Sequence, residues 1–266
     1  MSILRVENLT KIYETGFLKK RYIKAVDNIS FTVNKGEIVS LVGESGSGKT
    51  TTAKIILRLL PPTSGTVIFD GKDIWRDLRK KEDLRWYWRN VHAIFQDPYA
   101  SYNPLFKAKR VLTQALRLIG VDPKSSEAKK IMTNALETVG LKPELLDKYP
   151  HQLSGGERQR LMIARCIIIK PKVIIADEPI SMLDASLRAR IMKELKKLRD
   201  NYGTSIIFIT HDMGLAYYIS DRIIVMHKGK IVEEGTPDEI LNDPKHEYTK
   251  ELIASIPTLY RKWRDI

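Results

Sequence analysis

The chain is nearly free of cysteine and has no long apolar run. One cysteine, Cys166, stands among 266 residues, so no disulfide can form within the chain and a disulfide-stapled secreted scaffold is excluded. That usage fits a reducing compartment. Cys166 lies in an apolar, helix-like run over residues 161–169 and is expected to be a packed core thiol. The apolar runs fall far short of the ~18 residues that a membrane span needs. Met1 leads straight into Ile3, Leu4, Arg5 and Val6, so no secretory leader is expected. The expectation is a soluble chain whose membrane role, if it has one, comes through a partner. There is no internal repeat or low-complexity segment, and a hydrophobic fraction of 43% argues against disorder.

Positive charge is present in excess. Forty-five Lys and Arg against 32 Asp and Glu leave a net +13. Nucleic acid, anionic lipid and anionic small molecules all remain as partner classes, with scattered solvated lysines as the simplest source of most of the charge. The length suits one large α/β domain or two small ones with a proper core.

Residues 3–6 and 29–33 alternate apolar with polar, as half-buried antiparallel strands do. Residues 38–42 read as a buried strand, 51–60 as a helix ending at Pro61-Pro62, and 66–69 as a strand before a tight turn at Asp70-Gly71. Residues 72–90 carry Trp75, Trp86 and Trp88 among charges of both signs. Aromatic stacking on a basic groove is one use for such a stretch. Asp73, Asp77, Glu82 and Asp83 interrupt the basic residues, which favours an amphipathic helix packing its tryptophans on a neighbour. A short strand at 91–95 is followed by helical spacing over 105–148, broken at residues 120–123 and at Gly140. The β-branched run at 172–176 and the apolar run at 205–209 read as strands buried on both faces, with a helix at 187–200 between them. A hairpin turning at Lys228-Gly229 and a charged, helical tail over 238–266 complete the chain.

Three motifs carry chemistry. Gly43-Glu44-Ser45-Gly46-Ser47-Gly48-Lys49-Thr50 lies between a predicted strand and a predicted helix, the context a phosphate-binding loop requires. Its glycines let backbone N–H groups form an anion nest and the helix N-terminus adds partial positive charge. Lys49 reaches the outer phosphates and the Thr50 hydroxyl suits Mg²⁺. In the second motif, Asp177-Glu178 ends a buried strand, placing Asp177 to hold Mg²⁺ and Glu178 to orient or deprotonate a water attacking the γ-phosphate. In the third, Leu153-Ser154-Gly155-Gly156-Glu157-Arg158-Gln159, Ser154 and Glu157 form a capping box. Its glycines bare helical N–H groups for a second anion.

Together these motifs resemble the ATP-binding subunit of an ABC transporter: Gly43 to Thr50 match Walker A, residues 173–178 match Walker B and residues 153–159 match the signature, with Arg158 in a variable slot. The resemblance covers nearly the whole chain. It implies an α/β fold: a P-loop NTPase core with a parallel sheet, an N-terminal antiparallel β subdomain and an inserted α-helical subdomain. The nucleotide-binding domain would span residues 1–240, with the insertion at about 97–165, and residues 241–266 would be a C-terminal extension. The cofactors implied are ATP and Mg²⁺, with Gly43 through Thr51 (Thr50 and Thr51 included) around the phosphates and Tyr13 stacked on adenine. Ser154, Gly155, Gly156, Glu157 and Asp184 would meet a second nucleotide. Catalysis would fall to Glu178, His211 and Gln96, and the metal to Thr50, Gln96 and Asp177. Gln96 looks like the Q-loop glutamine that also faces the membrane subunit. Residues 181–184 look like the D-loop with Met182 in place of the commoner alanine, and Thr210-His211-Asp212 looks like the switch.

Residues 96–104 and the stretch from Pro244 to Pro257 are similar to dipeptide and oligopeptide importers, most of all to the second of their two ATPase subunits. Some relatives take up oligosaccharides or nickel instead of peptides. Several hold an iron–sulfur cluster on C-terminal cysteines, which this chain lacks, so none is expected. The resemblance implies a head-to-tail pairing with a second ATP-binding subunit, identical or sister. Two membrane-spanning permease subunits and, indirectly, an extracytoplasmic solute-binding protein would complete the system, with the chain peripheral on the cytoplasmic face. Two rival readings are a nucleic-acid-handling ABC ATPase and a regulatory module that binds nucleotide without hydrolysing it. One cassette, no long heptad run and one cysteine weigh against the first, so no nucleic acid is expected; Glu178 and His211 weigh against the second. The tail residues Arg261, Lys262, Trp263 and Arg264 are expected to be a solvated terminus rather than a headgroup contact.

Overall fold

The computed structural model describes residues 1–16, 20–95 and 102–255. In chain order the elements are β1 (Ser2–Thr15), β2 (Arg21–Asn34), β3 (Ile38–Val42), α1 (Lys49–Ile56), β4 (Ser64–Phe69), β5 (Lys72–Asp73), α2 (Lys81–Asn90), β6 (Val91–Ile94), α3 (Lys109–Leu118), α4 (Ser126–Thr138), α5 (Gly155–Ile169), β7 (Val173–Asp177), α6 (Ala185–Tyr202), β8 (Ser205–Thr210), α7 (Met213–Ile219), β9 (Arg222–His227), β10 (Lys230–Gly235), α8 (Pro237–Asn242) and α9 (Glu247–Ala254). They build two sheets, an antiparallel one in the order β2-β1-β4-β5 and a six-stranded one in the order β10-β9-β3-β8-β7-β6. The second is parallel apart from its β9–β10 edge. This is the expected α/β arrangement.

The unbroken apolar runs of β3, β7 and β8 follow from burial on both faces. Val39, Leu41, Val173, Ile175, Ile207 and Ile209 pack toward the antiparallel sheet and α1. Their neighbours Ile38, Ile174, Ile206 and Phe208 pack on the opposite face, in one continuous core with α3, α4, α5 and α6. The helical insertion therefore shares its core with the sheet. Cys166 is buried there, and burial pushes its thiol up to about 12.

Two expectations are corrected. The helix after the phosphate loop ends at Ile56, not at residue 60. Arg58 takes a left-handed φ of 58°, and the N–H groups of Leu59 and Leu60 both return to the Lys54 carbonyl, which closes the helix as a Schellman-type turn before the prolines. In α2 the tryptophans do not all pack. Trp86 stands 5.4 Å from Phe69, but the fully buried aromatic is Tyr87, whose hydroxyl donates to the Ile56 carbonyl. Trp88 is half exposed, because one face of a helix can point only one way.

Arg222 on β9 joins the two sheets. Its guanidinium donates to Glu37 at 2.8 Å, to the Thr32 carbonyl on β2 and to Glu234 on β10. With only a fifth of its side chain exposed, replacement leaves acceptors without a donor. Arg222→Met is expected to lower the unfolding free energy by about 1–3 kcal/mol in urea titration; an unchanged midpoint would show that the joint carries no load.

Candidate functional site

The carboxyl ends of β3, β7 and β8 lie side by side, the position where parallel sheets bind ligands. From β3 the chain enters the glycine-rich loop. Gly43 has φ +151°, and a Cβ there would meet the Met226 carbonyl oxygen at 2.1 Å; Gly48 has φ +105° and would meet the Ala25 oxygen at 2.6 Å. At both positions β9 or β2 presses backbone against backbone, so only glycine fits.

Lys49 is buried, and its ammonium donates to the carbonyls of Gly43 (2.6 Å) and Glu44 (2.7 Å) and to Ser47 Oγ (3.1 Å). Burial depresses its pKa, while Glu178, Asp177 and Glu44 pull the other way. Asp177, the last residue of β7, is 5% exposed; burial holds its carboxyl above the usual carboxylate range, against a lowering bond from Thr50. Thr50 Oγ1 and Asp177 Oδ1 stand 3.4 Å apart, two oxygen donors facing one space, which is the donor chemistry a hard divalent cation requires.

Glu178 follows in a left-handed conformation, φ +46°, which costs a non-glycine residue about 1 kcal/mol or more. Backbone hydrogen bonds hold it. Its N–H donates to the Ile209 carbonyl at 2.9 Å, and its carbonyl accepts from Gln159 Nε2 and from Ser181 Oγ, each at 3.1 Å. The kink directs its carboxylate to His211, with Oε1 2.8 Å from Nδ1.

These groups line a cleft of about 870 Å³. Tyr13, Glu44, Ser45, Gly46, Gly48, Lys49, Thr50, Thr51, Asp177, Glu178 and His211 all contribute to it, joined by Ile23, the cross-strand partner of Tyr13. Gly43 and Ser47 are buried behind that wall.

The remaining predicted residues lie elsewhere. Ser154, Gly155, Gly156 and Asp184 line a separate, open depression of about 400 Å³. Ser154 caps α5 by accepting from the Glu157 N–H at 3.1 Å, and the Glu157 carboxylate accepts from the Ser154 N–H at 2.8 Å. Met182 lies over this helix end: a Cβ on Gly155 would come within 2.8 Å of its sulfur. Asp184 caps α6 through the Leu187 N–H. Gln96, the remainder of residues 97–101, and the tail from 256 onward lie outside the described residues.

Sequence reasoning missed the role of Gln159. It is fully buried in the otherwise apolar face of α5, one turn beyond Gly155, and a buried amide in such a face was the available signal. It also missed the Tyr248 hydroxyl, which accepts from the Glu44 N–H at 2.9 Å. No local pattern announces a contact spanning 204 residues.

Known proteins resemble the chain in sequence and in fold. The family profile described as "ABC transporter" matches residues 26–181, and the profile "Oligopeptide/dipeptide transporter, C-terminal region" matches residues 232–266. The dipeptide transport ATP-binding protein DppF of Lactococcus lactis is 42% identical over 258 residues, covering 96% of this chain and 81% of that protein. The oligopeptide transport ATP-binding protein OppF of Bacillus subtilis is 43% identical, covering 93% and 83%. A solved dimer of the ATP-binding cassette MJ0796 in a post-hydrolysis state with ADP and Pi superimposes with a TM-score of 0.79 at 31% identity, covering 88% of this chain and 98% of that one.

The bond from α5 to the Glu178 peptide makes a direct prediction. Gln159→Leu keeps the volume and removes the donor, so nucleotide hydrolysis should fall roughly tenfold, the equivalent of one positioned hydrogen bond. Nucleotide affinity should stay within about twofold. Unchanged turnover would show that Glu178 keeps its geometry without α5.

Proposed function

The chain belongs to the ABC transporter family, and from that premise we propose that it is the ATP-hydrolysing subunit of an importer of peptides. The names of the relatives support peptides over the oligosaccharides that some importers of this kind carry. The observation that carries the reading is the division of the predicted site. Lys49, Thr50, Asp177, Glu178 and His211 share one cleft, while Ser154, Gly155, Gly156 and Asp184 lie on another surface of the same chain. One chain then offers two unlike halves of a nucleotide site, and head-to-tail pairing with a second ATP-binding subunit completes both. ATP is what makes the seam, so closing the pair and filling the site are one event.

In this reading Tyr13 and Ile23 receive the adenine, and the loop from Gly43 to Thr51 receives the phosphates. Lys49 exchanges its carbonyl partners for phosphate oxygens, a change favoured because the ammonium is already stripped of water. Glu178 accepts the proton of the attacking water as its oxygen bonds to the γ-phosphorus and the bond to the β-phosphate oxygen breaks. His211, bonded to Glu178 in the structure, holds that carboxylate in line and faces the γ-phosphate. Mg²⁺ would be held by Thr50 and Asp177, whose oxygens fit it, with Gln96 as a further oxygen donor by resemblance. Bound there, the ion neutralises charge on the phosphates.

Among the described residues no helix is long and apolar enough to cross a membrane. Permease subunits are therefore the proposed route to the bilayer, and the chain is placed on its cytoplasmic face. A groove along β6 and Phe95 supports this. Leu59 and Trp88, both half exposed or more, line it with Val91, His92, Phe95 and Met162. Burial, aided by the Arg165 guanidinium, lowers the His92 pKa to about 3, so the groove offers a permease helix end a largely apolar wall with the Arg165 cation on it.

Two substitutions test the reading. Glu178→Gln should bind ATP, lose at least about a hundredfold in turnover and accumulate as an ATP-bound pair on size exclusion. Hydrolysis at the wild-type rate would remove Glu178 as the base. Lys49→Ala should lose ATP affinity in calorimetry, and unchanged binding would refute the phosphate-loop assignment.

A further inference from the structure

The C-terminal segment reaches back to the nucleotide loop through one side chain. Tyr248, in the first turn of α9, is 6% exposed and packs with Val42, the residue just before the loop, and with Val225 of β9. Its ring meets His227 edge-on, with centroids 3.8 Å apart. Its hydroxyl oxygen accepts the Glu44 N–H at 2.9 Å. The same Glu44 residue offers its carbonyl to the Lys49 ammonium at 2.7 Å and to the Ser47 N–H at 3.2 Å. Both ends of residue 44 are thus tied, one to the loop itself and one to α9.

The start of α9 is itself fixed. Glu233 on β10 accepts the N–H groups of Lys245 (2.7 Å) and His246 (3.0 Å), and His246 Nδ1 accepts the Tyr248 N–H at 3.1 Å. A continuous set of bonds therefore runs from the sheet edge through residues 245–248 to the second residue of the phosphate loop. An unoccupied glycine-rich loop is costly to order, and an anion nest binds only when its N–H groups already converge.

We propose that Tyr248 is a positioning residue for ATP binding, by which the C-terminal extension holds the Glu44 peptide in place when Lys49 leaves its carbonyl for the phosphates. The inference rests on the reading of the cleft as an ATP site and adds a role for the region that matches the oligopeptide/dipeptide C-terminal profile. Tyr248 touches no phosphate; it acts through Glu44. The strap also gives the extension a means to tune affinity, because any partner that shifts α9 shifts the loop.

Tyr248→Phe in the full chain is the test. It keeps the ring, its packing and its contact with His227, and removes only the acceptor. The KM for ATP, and the dissociation constant by calorimetry, should rise about three- to tenfold, the loss of one hydrogen bond. The rise in KM should exceed any fall in kcat. The melting midpoint of the nucleotide-free protein should stay within about two degrees. An affinity equal to wild type, or a drop in melting midpoint with kcat and KM falling together, overturns the inference and leaves the ATP reading intact. Wild-type protein that fails to bind ATP overturns both. Glu233→Gln serves as the second variant: it weakens the anchor of residues 245–246 without touching the loop, and should raise KM in the same direction but by less. If it leaves KM unchanged, the strap does not extend to β10.

Discussion

The proposed chemistry depends on keeping one ammonium largely out of water. Lys49 sits where three strand ends meet, largely buried in the wall of the cleft, and its ammonium is held by two backbone carbonyls and a serine hydroxyl. Two carboxylates, Asp177 and Glu178, face the same space. A buried cation of this kind is stable only while it is fully bonded. Supplying that shell requires a glycine-only loop pressed against β9 and β2, which in turn requires both sheets. The fold can be understood as the support that lets a desolvated lysine exchange protein oxygens for phosphate oxygens at little cost.

The same economy explains why the proposed catalytic carboxylate is bent out of ordinary conformation. Glu178 leaves β7 in a left-handed turn that its backbone hydrogen bonds make tolerable. One of those bonds comes from α5, the helix whose capped end forms the other half-site. The proposed base of one half-site is thereby joined through Gln159 to the helix whose capped end is the proposed recognition element of the other. One turn of that helix separates Gly155 from Gln159, and so short a rigid span transmits small displacements with little loss.

Much of this was legible in the residues. Strand positions followed from apolar runs with β-branched residues, because burial on both faces leaves no other pattern. Walker-type spacing led to Lys49, Thr50, Asp177 and Glu178, because backbone geometry demands those residue types in that order. The exact end of α1 was not legible, since a Schellman closure at Arg58 depends on how the following segment is anchored rather than on the prolines downstream. Nor was the packing of α2, where Tyr87 takes the buried place that the flanking tryptophans advertised. The contacts of Gln159 and Tyr248 escaped for a simpler reason. Each side chain is ordinary where it stands and gains meaning only from a backbone group brought near by the fold, 19 or 204 residues away.

One chain thus carries a cleft lined by the proposed phosphate-binding groups and, in a separate depression, the capped end of α5. The most direct measurement is a structure of the assembled transporter with a triphosphate trapped in place. The account predicts that Ser154 and the first turn of α5 stand within hydrogen-bond distance, ~3 Å, of the γ-phosphate bound on the neighbouring ATP-binding subunit. A triphosphate bound in both clefts while the Ser154 end of α5 faces solvent would contradict it.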